Sequence, residues 1–185
     1  MSCTEEKNNI ETNILDKSFL VIVDTIAYSK LSLRPAFSFN DNINNPDTIN
    51  GRKLIIKVSD TLQSLSKWKK EIAGFFKENN SDGSLKDFEK LIQSRLDSGI
   101  AYFDIINNLK STGSYSIKTS DSLSKNDLAV GKVEFSRVAY NEDIAALVVK
   151  IEGQNSKKAG IVKLVLLKRN NNVWEKFREA SLEIW

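Results

Sequence analysis

The chain has 185 residues, 41% of them apolar and 28% charged, with a formal net charge of +3, a composition that suits one globular domain with its own core. It holds no histidine and one cysteine, Cys3, which excludes Ser-His-Asp and Cys-His relays, histidine-ligated zinc or iron, and cysteine-built structural metal sites. Basic and acidic side chains balance over residues 1–113, so the small surplus falls in residues 114–185; the short clusters Lys67/Lys69/Lys70, Lys157/Lys158 and Lys168/Arg169 read as solvated faces, and neither a nucleic-acid partner nor a cofactor is expected.

The chain opens Ser2-Cys3-Thr4-Glu5-Glu6-Lys7-Asn8-Asn9. A lone thiol at this end can neither pack a core nor close an internal disulfide. A small residue, then cysteine, then a polar run resembles the mature end of a bacterial lipoprotein. The resemblance covers fewer than ten residues. It implies acylation at Cys3, a flexible tether over residues 1–13, and a domain over residues 14–185 held at the bacterial cell envelope by its lipid alone. The alternative is a cytoplasmic protein with an incidental cysteine. The longest apolar run, Phe19 to Val23, is cut by Asp24 and is too short to span a bilayer. If the protein is exported, its signal was removed before Ser2.

Residues 14–113 read as mainly helical. Leu15, Phe19, Ile22 and Ile26 are spaced by three and four, one stripe of a helix, although Phe19-Leu20-Val21-Ile22-Val23 suits a strand as well. Pro35 ends that segment, and residues 36–50 read as a loop. Leu54, Val58, Leu62, Leu65, Trp68, Ile72 and Phe76 predict a second helix of some twenty residues. Ser81-Asp82-Gly83 is a turn. Ser84-Leu85-Lys86-Asp87 resembles a capping box opening a helix that carries Phe88, Leu91, Ile92 and Leu96. A short helix over 104–110 is expected to stop at Gly113.

Residues 114–185 read as mainly β. Val133 to Tyr140 alternates, with Val133, Phe135, Arg137 and Ala139 on one face and Glu134, Ser136, Val138 and Tyr140 on the other. Strands over 145–151, 160–168 and 173–185 follow, separated by Asn-rich turns. The third, around Ile161 to Leu167, is apolar on both faces and reads as central. The expected class is α+β: N-terminal helices packed across one face of an antiparallel β-meander of four to five strands. Helices first and a meander last loosely resemble the cone-shaped fold of nuclear transport factor 2, which implies no activity.

Candidate sites are few. Asp24, which interrupts an apolar segment, Arg137 and Tyr140 are the candidate ligand-binding residues. Asp24 reads alternatively as a solvated acid or one paired with Arg34 or Arg137. Residues 78–89 partly match a calcium loop at Asn80, Asp82, Gly83 and Glu89, but Glu78 stands where a shorter Asp is needed, and a plain helix–turn–helix is the stronger reading; no metal site is expected. The Asn/Asp-rich stretch 40–47 reads as an ordinary loop. Trp68, Trp174, Trp185, Tyr28, Tyr102 and Tyr140 read as core before ligand groove. The leading expectation is a non-enzymatic, lipid-anchored domain that binds a protein or small ligand. The alternatives are a carboxylate-dependent hydrolase using acids such as Asp24, Asp104, Glu134 or Asp143, and an inhibitor or immunity-type module.

Overall fold

A computed structural model describes residues 3–23, 48–49, 52–53, 55–81, 83–112, 115–119, 122, 129–153 and 160–185. The elements run in the order α1 (Cys3–Ile22), β1 (Thr48–Ile49), β2 (Arg52–Lys53), β3 (Ile55–Val58), β4 (Thr61–Leu62), a 3-10 turn (Leu65–Trp68), α2 (Lys69–Asn79), α3 (Lys86–Gln93), β5 (Ala101–Tyr102), α4 (Ile105–Asn108), β6 (Ser116–Lys118), β7 (Ala129–Phe135), β8 (Ala139–Tyr140), β9 (Ile144–Gly153), β10 (Gly160–Asn170) and β11 (Val173–Ile184).

The fold is α+β, and β7 to β11 form the antiparallel meander. The sheet has seven strands in the order β11-β10-β9-β7-β3-β6, with β8 also on β9; β3 runs parallel to both β6 and β7. Strand alternation places two apolar layers on opposite faces. Ala145, Leu147, Val149, Ile151, Val165 and Leu167 join one buried cluster with Ile14, Leu15, Phe19 and Ile22 of α1. Ala146, Val148, Val162, Leu164 and Leu166 join the other with Ile72, Phe75 and Phe76 of α2 and Phe88 and Ile92 of α3. This explains why Ile161 to Leu167 is apolar on both faces. Helices therefore cover both faces, not one as expected, and β10 lies one strand in from the edge.

Several expectations need correction. Residues 3–13, read as a tether, lie within α1, and Glu11 is buried. The apolar stripe explains this: carried back one turn from Leu15, it reaches Glu11, so the helix has an inward face well before residue 14. The helix predicted over 54–76 starts only near residue 65. Ile55-Ile56-Lys57-Val58 is β-branched at three of four positions and forms β3, an interior strand of the sheet. Leu85, not Ser84, holds the cap position of α3 and makes no side-chain cap bond, and the Leu85 N–H goes to Asn80 Oδ1 at 3.0 Å. Asp104 does cap α4, accepting the Asn107 N–H. The β10–β11 turn is made by Asn171 and Asn172, both with positive φ, which asparagine tolerates best among residues bearing a Cβ. Ile26, Pro35, most of the 36–50 loop, Tyr28 and Gly113 lie outside the described residues.

Candidate functional site

Val133 to Tyr140 is not one continuous strand. Phe135 pairs with Val149 and Ala139 with Ala146, so one extra residue is accommodated over 136–138. The buried Ser136 fills the break: its N–H donates to Val148 O, and its Oγ accepts the Val148 N–H and donates to Arg137 O, each at 2.8 Å. Beyond it the faces exchange. Val138 and Tyr140 now join the α1 layer and Ala139 the α2/α3 layer, the reverse of the alternation predicted from sequence.

The break aims Arg137 at α1. Its Nε donates to both carboxylate oxygens of Glu11, at 3.1 and 3.0 Å, and the Val138 N–H donates to Glu11 Oε1 at 2.5 Å. Arg137 Nη1 reaches Gly99 O at 3.4 Å. The Arg95 guanidinium lies 5.9 Å from the centre of the Tyr140 ring. Glu11 is 3% exposed. Burial pushes its carboxyl above the usual glutamate value, against the opposing pull of the Val138 N–H and Arg137. Burial also raises the Tyr140 phenol, and the Glu11 charge adds to it.

The structure thus brings two of the sequence candidates, Arg137 and Tyr140, to one place and gives Arg137 a structural partner. Asp24 and Arg34 lie outside the described residues. Cys3 is the first residue of α1. Glu11 and Arg95 were missed. The signal for Glu11 was present, an acid in register with Leu15, Ser18 and Ile22; that for Arg95, just beyond α3, was not. The other acids weighed as hydrolase candidates sit on different elements: Asp104 caps α4, Glu134 pairs with Lys132, and Asp143 lies in the β8–β9 turn, where its backbone carbonyl accepts the Arg169 N–H. Asp16 makes a second attachment of α1. It accepts the N–H groups of Lys110 and Ser111 at 2.6 and 2.7 Å and the Ser111 hydroxyl at 3.1 Å. Burial alone would raise Asp16, but those N–H bonds outweigh it and hold the carboxyl below its ordinary value.

In the calcium-like stretch, Asn80 Nδ2 donates to Glu89 Oε2 at 3.2 Å while its Oδ1 holds the Leu85 N–H, so two would-be ligands close the turn between α2 and α3; Asp82 lies outside the described residues. Trp68 and Trp174 are core, whereas Tyr102 is 75% exposed. Among the described residues, open grooves include the following two. One, of about 420 Å³, lies between α3 and the β8–β9 turn, lined by Asp87, Lys90, Leu91, Asn141 and Asp143. The other, of about 370 Å³, lies between α2 and β11, lined by Glu71, Phe75, Glu78, Arg178 and Ser181. No family model, curated protein or solved structure matches the chain.

Proposed function

We propose that the protein is a non-enzymatic domain of a bacterial lipoprotein, acylated at Cys3 and held at the cell envelope, where it binds a protein or small ligand. The supporting observation is the position of Cys3 at the head of a helix built into the domain. Glu11 and Asp16 fasten α1 at two places, the β7–β8 break and the segment after α4. A lipid on Cys3 would be joined to the Glu11 clasp by eight residues of helix, about 12 Å, so the domain would ride close to the bilayer. The anchor would rest on acyl burial, at about 0.8 kcal/mol per CH₂. No helix among the described residues is long and apolar enough to cross a membrane.

The test is mass spectrometry of the N-terminal peptide from native protein, with membrane and soluble fractions compared. A diacylglyceryl mass on Cys3 in the membrane fraction, lost with Cys3→Ser, is the expected result. An unmodified terminus in the soluble fraction refutes the reading.

A further inference from the structure

Strand register assembles a row of like charges. Lys57 of β3 is paired with Lys118 of β6 on one side and Lys132 of β7 on the other, and Lys132 is opposite Glu152 of β9. Paired residues project from the same face, on strands about 4.8 Å apart, so three ammonium stems rise in a line of about 10 Å. Like charges directly opposite one another destabilise a sheet. The register that places them is fixed from behind, where Ile56 and Val58 are fully buried in the α1 layer. The apolar cluster beneath α2 and α3 takes no described residue from β3, β6 or β7, so the lysines stand beside that layer.

More positive charge surrounds the row. Lys150 and Lys67 act on Glu134 together with Lys132. Three described acids near the row are engaged: Glu134 is bonded by Lys132, Lys150 bonds Glu152 at 2.6 Å, and Glu183 acts on Lys150. Lys57, at the centre of the row, is half-buried, and no described acid pairs with it.

We propose that Lys57, flanked by Lys118 and Lys132, is the centre of a site for a phosphate-bearing anion. A phosphate group carries enough charge and enough acceptor oxygens to bridge neighbouring ammonium groups, and lysine serves it as a point charge. Its arrival offsets the repulsion that the strand register builds in. The site goes beyond the binding role proposed above by naming a ligand chemistry, and it stands whether or not Cys3 is acylated. The phosphate could be carried by a soluble polyphosphate or by a phospholipid headgroup.

The full chain with unmodified Cys3 is titrated calorimetrically with tripolyphosphate at low salt, and separately co-sedimented with phosphatidylglycerol vesicles. Binding in at least one arm, weakening as salt rises, is expected, and the responding arm identifies the source. Lys57→Gln should lower that affinity at least about tenfold, the loss of one charge-assisted hydrogen bond. Lys57→Arg should retain it, and Lys176→Gln on the opposite face should leave it unchanged. Lys118→Gln is the second variant if Lys57→Gln does not fold, with a loss of the same sign. No binding in either arm, or unchanged affinity in the folded Lys57→Gln or Lys118→Gln chain, overturns the proposal.

Discussion

Replacing Arg137 by Met tests whether the Glu11 clasp is a buried ion pair or a surface contact. The substitution keeps most of the aliphatic volume and removes the charge. It leaves a buried carboxylate whose remaining described hydrogen bond comes from the Val138 N–H, with the Arg95 charge acting from further off. Breaking a buried pair by removing one partner costs about 3–5 kcal/mol; the Arg137 side chain is itself 23% exposed, so about 3 kcal/mol is expected at pH 7. For a chain of this size that is a fall of about 6–12 °C in Tm. The double variant Glu11→Gln/Arg137→Met restores most of it. The amide oxygen still accepts the Val138 N–H and no charge is left buried, so a net cost of about 1 kcal/mol remains. The pH dependence has a definite sign. Burial already raises Glu11, and losing Arg137 raises it further. A raised folded-state value means stability is full below the unfolded value of 4.5 and is lost as pH rises through the folded one. The deficit of Arg137→Met should therefore shrink toward pH 4 and be greatest near pH 7. Urea unfolding of the four members of the cycle, at both pH values, measures this. Single-variant costs that add to within about 0.5 kcal/mol in the double, or a deficit that grows on acidification, would refute the reasoning.

Asp16 carries the opposite sign on the same helix. Its lowered carboxyl contributes stability above the unfolded value of 3.8 and loses it as pH falls through the folded value, so Asp16→Asn should flatten the acid limb of the stability curve and cost about 1 kcal/mol at pH 7 by urea titration. Ser136→Ala removes the acceptor of the buried Val148 N–H and should cost about 1–3 kcal/mol, with faster amide exchange at Val148. At Gly160 an added Cβ would stand 2.3 Å from the Trp185 ring, so Gly160→Ala should displace Trp185 and red-shift its emission, while Gly160→Ala/Trp185→Ala should be no less stable than Trp185→Ala alone.

The parts of the fold legible in the sequence are those whose burial is one-sided or repeated. Leu15, Phe19 and Ile22 announce α1, and Phe88 with Ile92 announces α3, because a helix between layer and solvent must keep a three-and-four spacing. β9, β10 and β11 are legible for a related reason: Asn-bearing stretches separate them in the sequence, and β9 and β10 are apolar on both faces, although the two bulges of β11 leave no mark in its letters. β3 was hidden because its four residues sit in a longer stretch whose apolar spacing also fits a helix; its parallel partners β6 and β7 lie some sixty and seventy residues further along, out of reach of any local pattern. The break after Phe135 was hidden by an alternation that continues unbroken in the letters while Ser136 turns the backbone. At the site, Arg137 and Tyr140 were found as a polar and an aromatic residue on an apolar strand. Their neighbours Glu11 and Arg95 come from segments 126 and 42 positions before Arg137, joined only by the fold.

Among the described residues β11 is an edge strand of the sheet, and its edge bears on the binding role proposed above. β11 spans twelve residues and ends the strand order, and an unbroken edge of that length invites pairing with another chain. Two register irregularities interrupt it. Against β10, the pairs Leu166–Arg178 and Leu167–Lys176 skip Phe177, and Val162–Glu183 and Lys163–Ser181 skip Leu182. Each skipped residue leans onto the α2/α3 layer. Phe177 stacks on Phe88 at 5.5 Å with planes 9° apart, under the Lys168 ammonium at 3.8 Å, and Leu182 packs against the same buried cluster. The bulges thus cover apolar surface and also break the regular ladder an added strand would need. Glu175, Lys176, Arg178, Glu179 and Glu183 put charge along what remains. An edge guarded in this way argues against strand addition, and it fits the proposal above, in which side chains aligned by register, Lys118, Lys57 and Lys132, would meet the ligand.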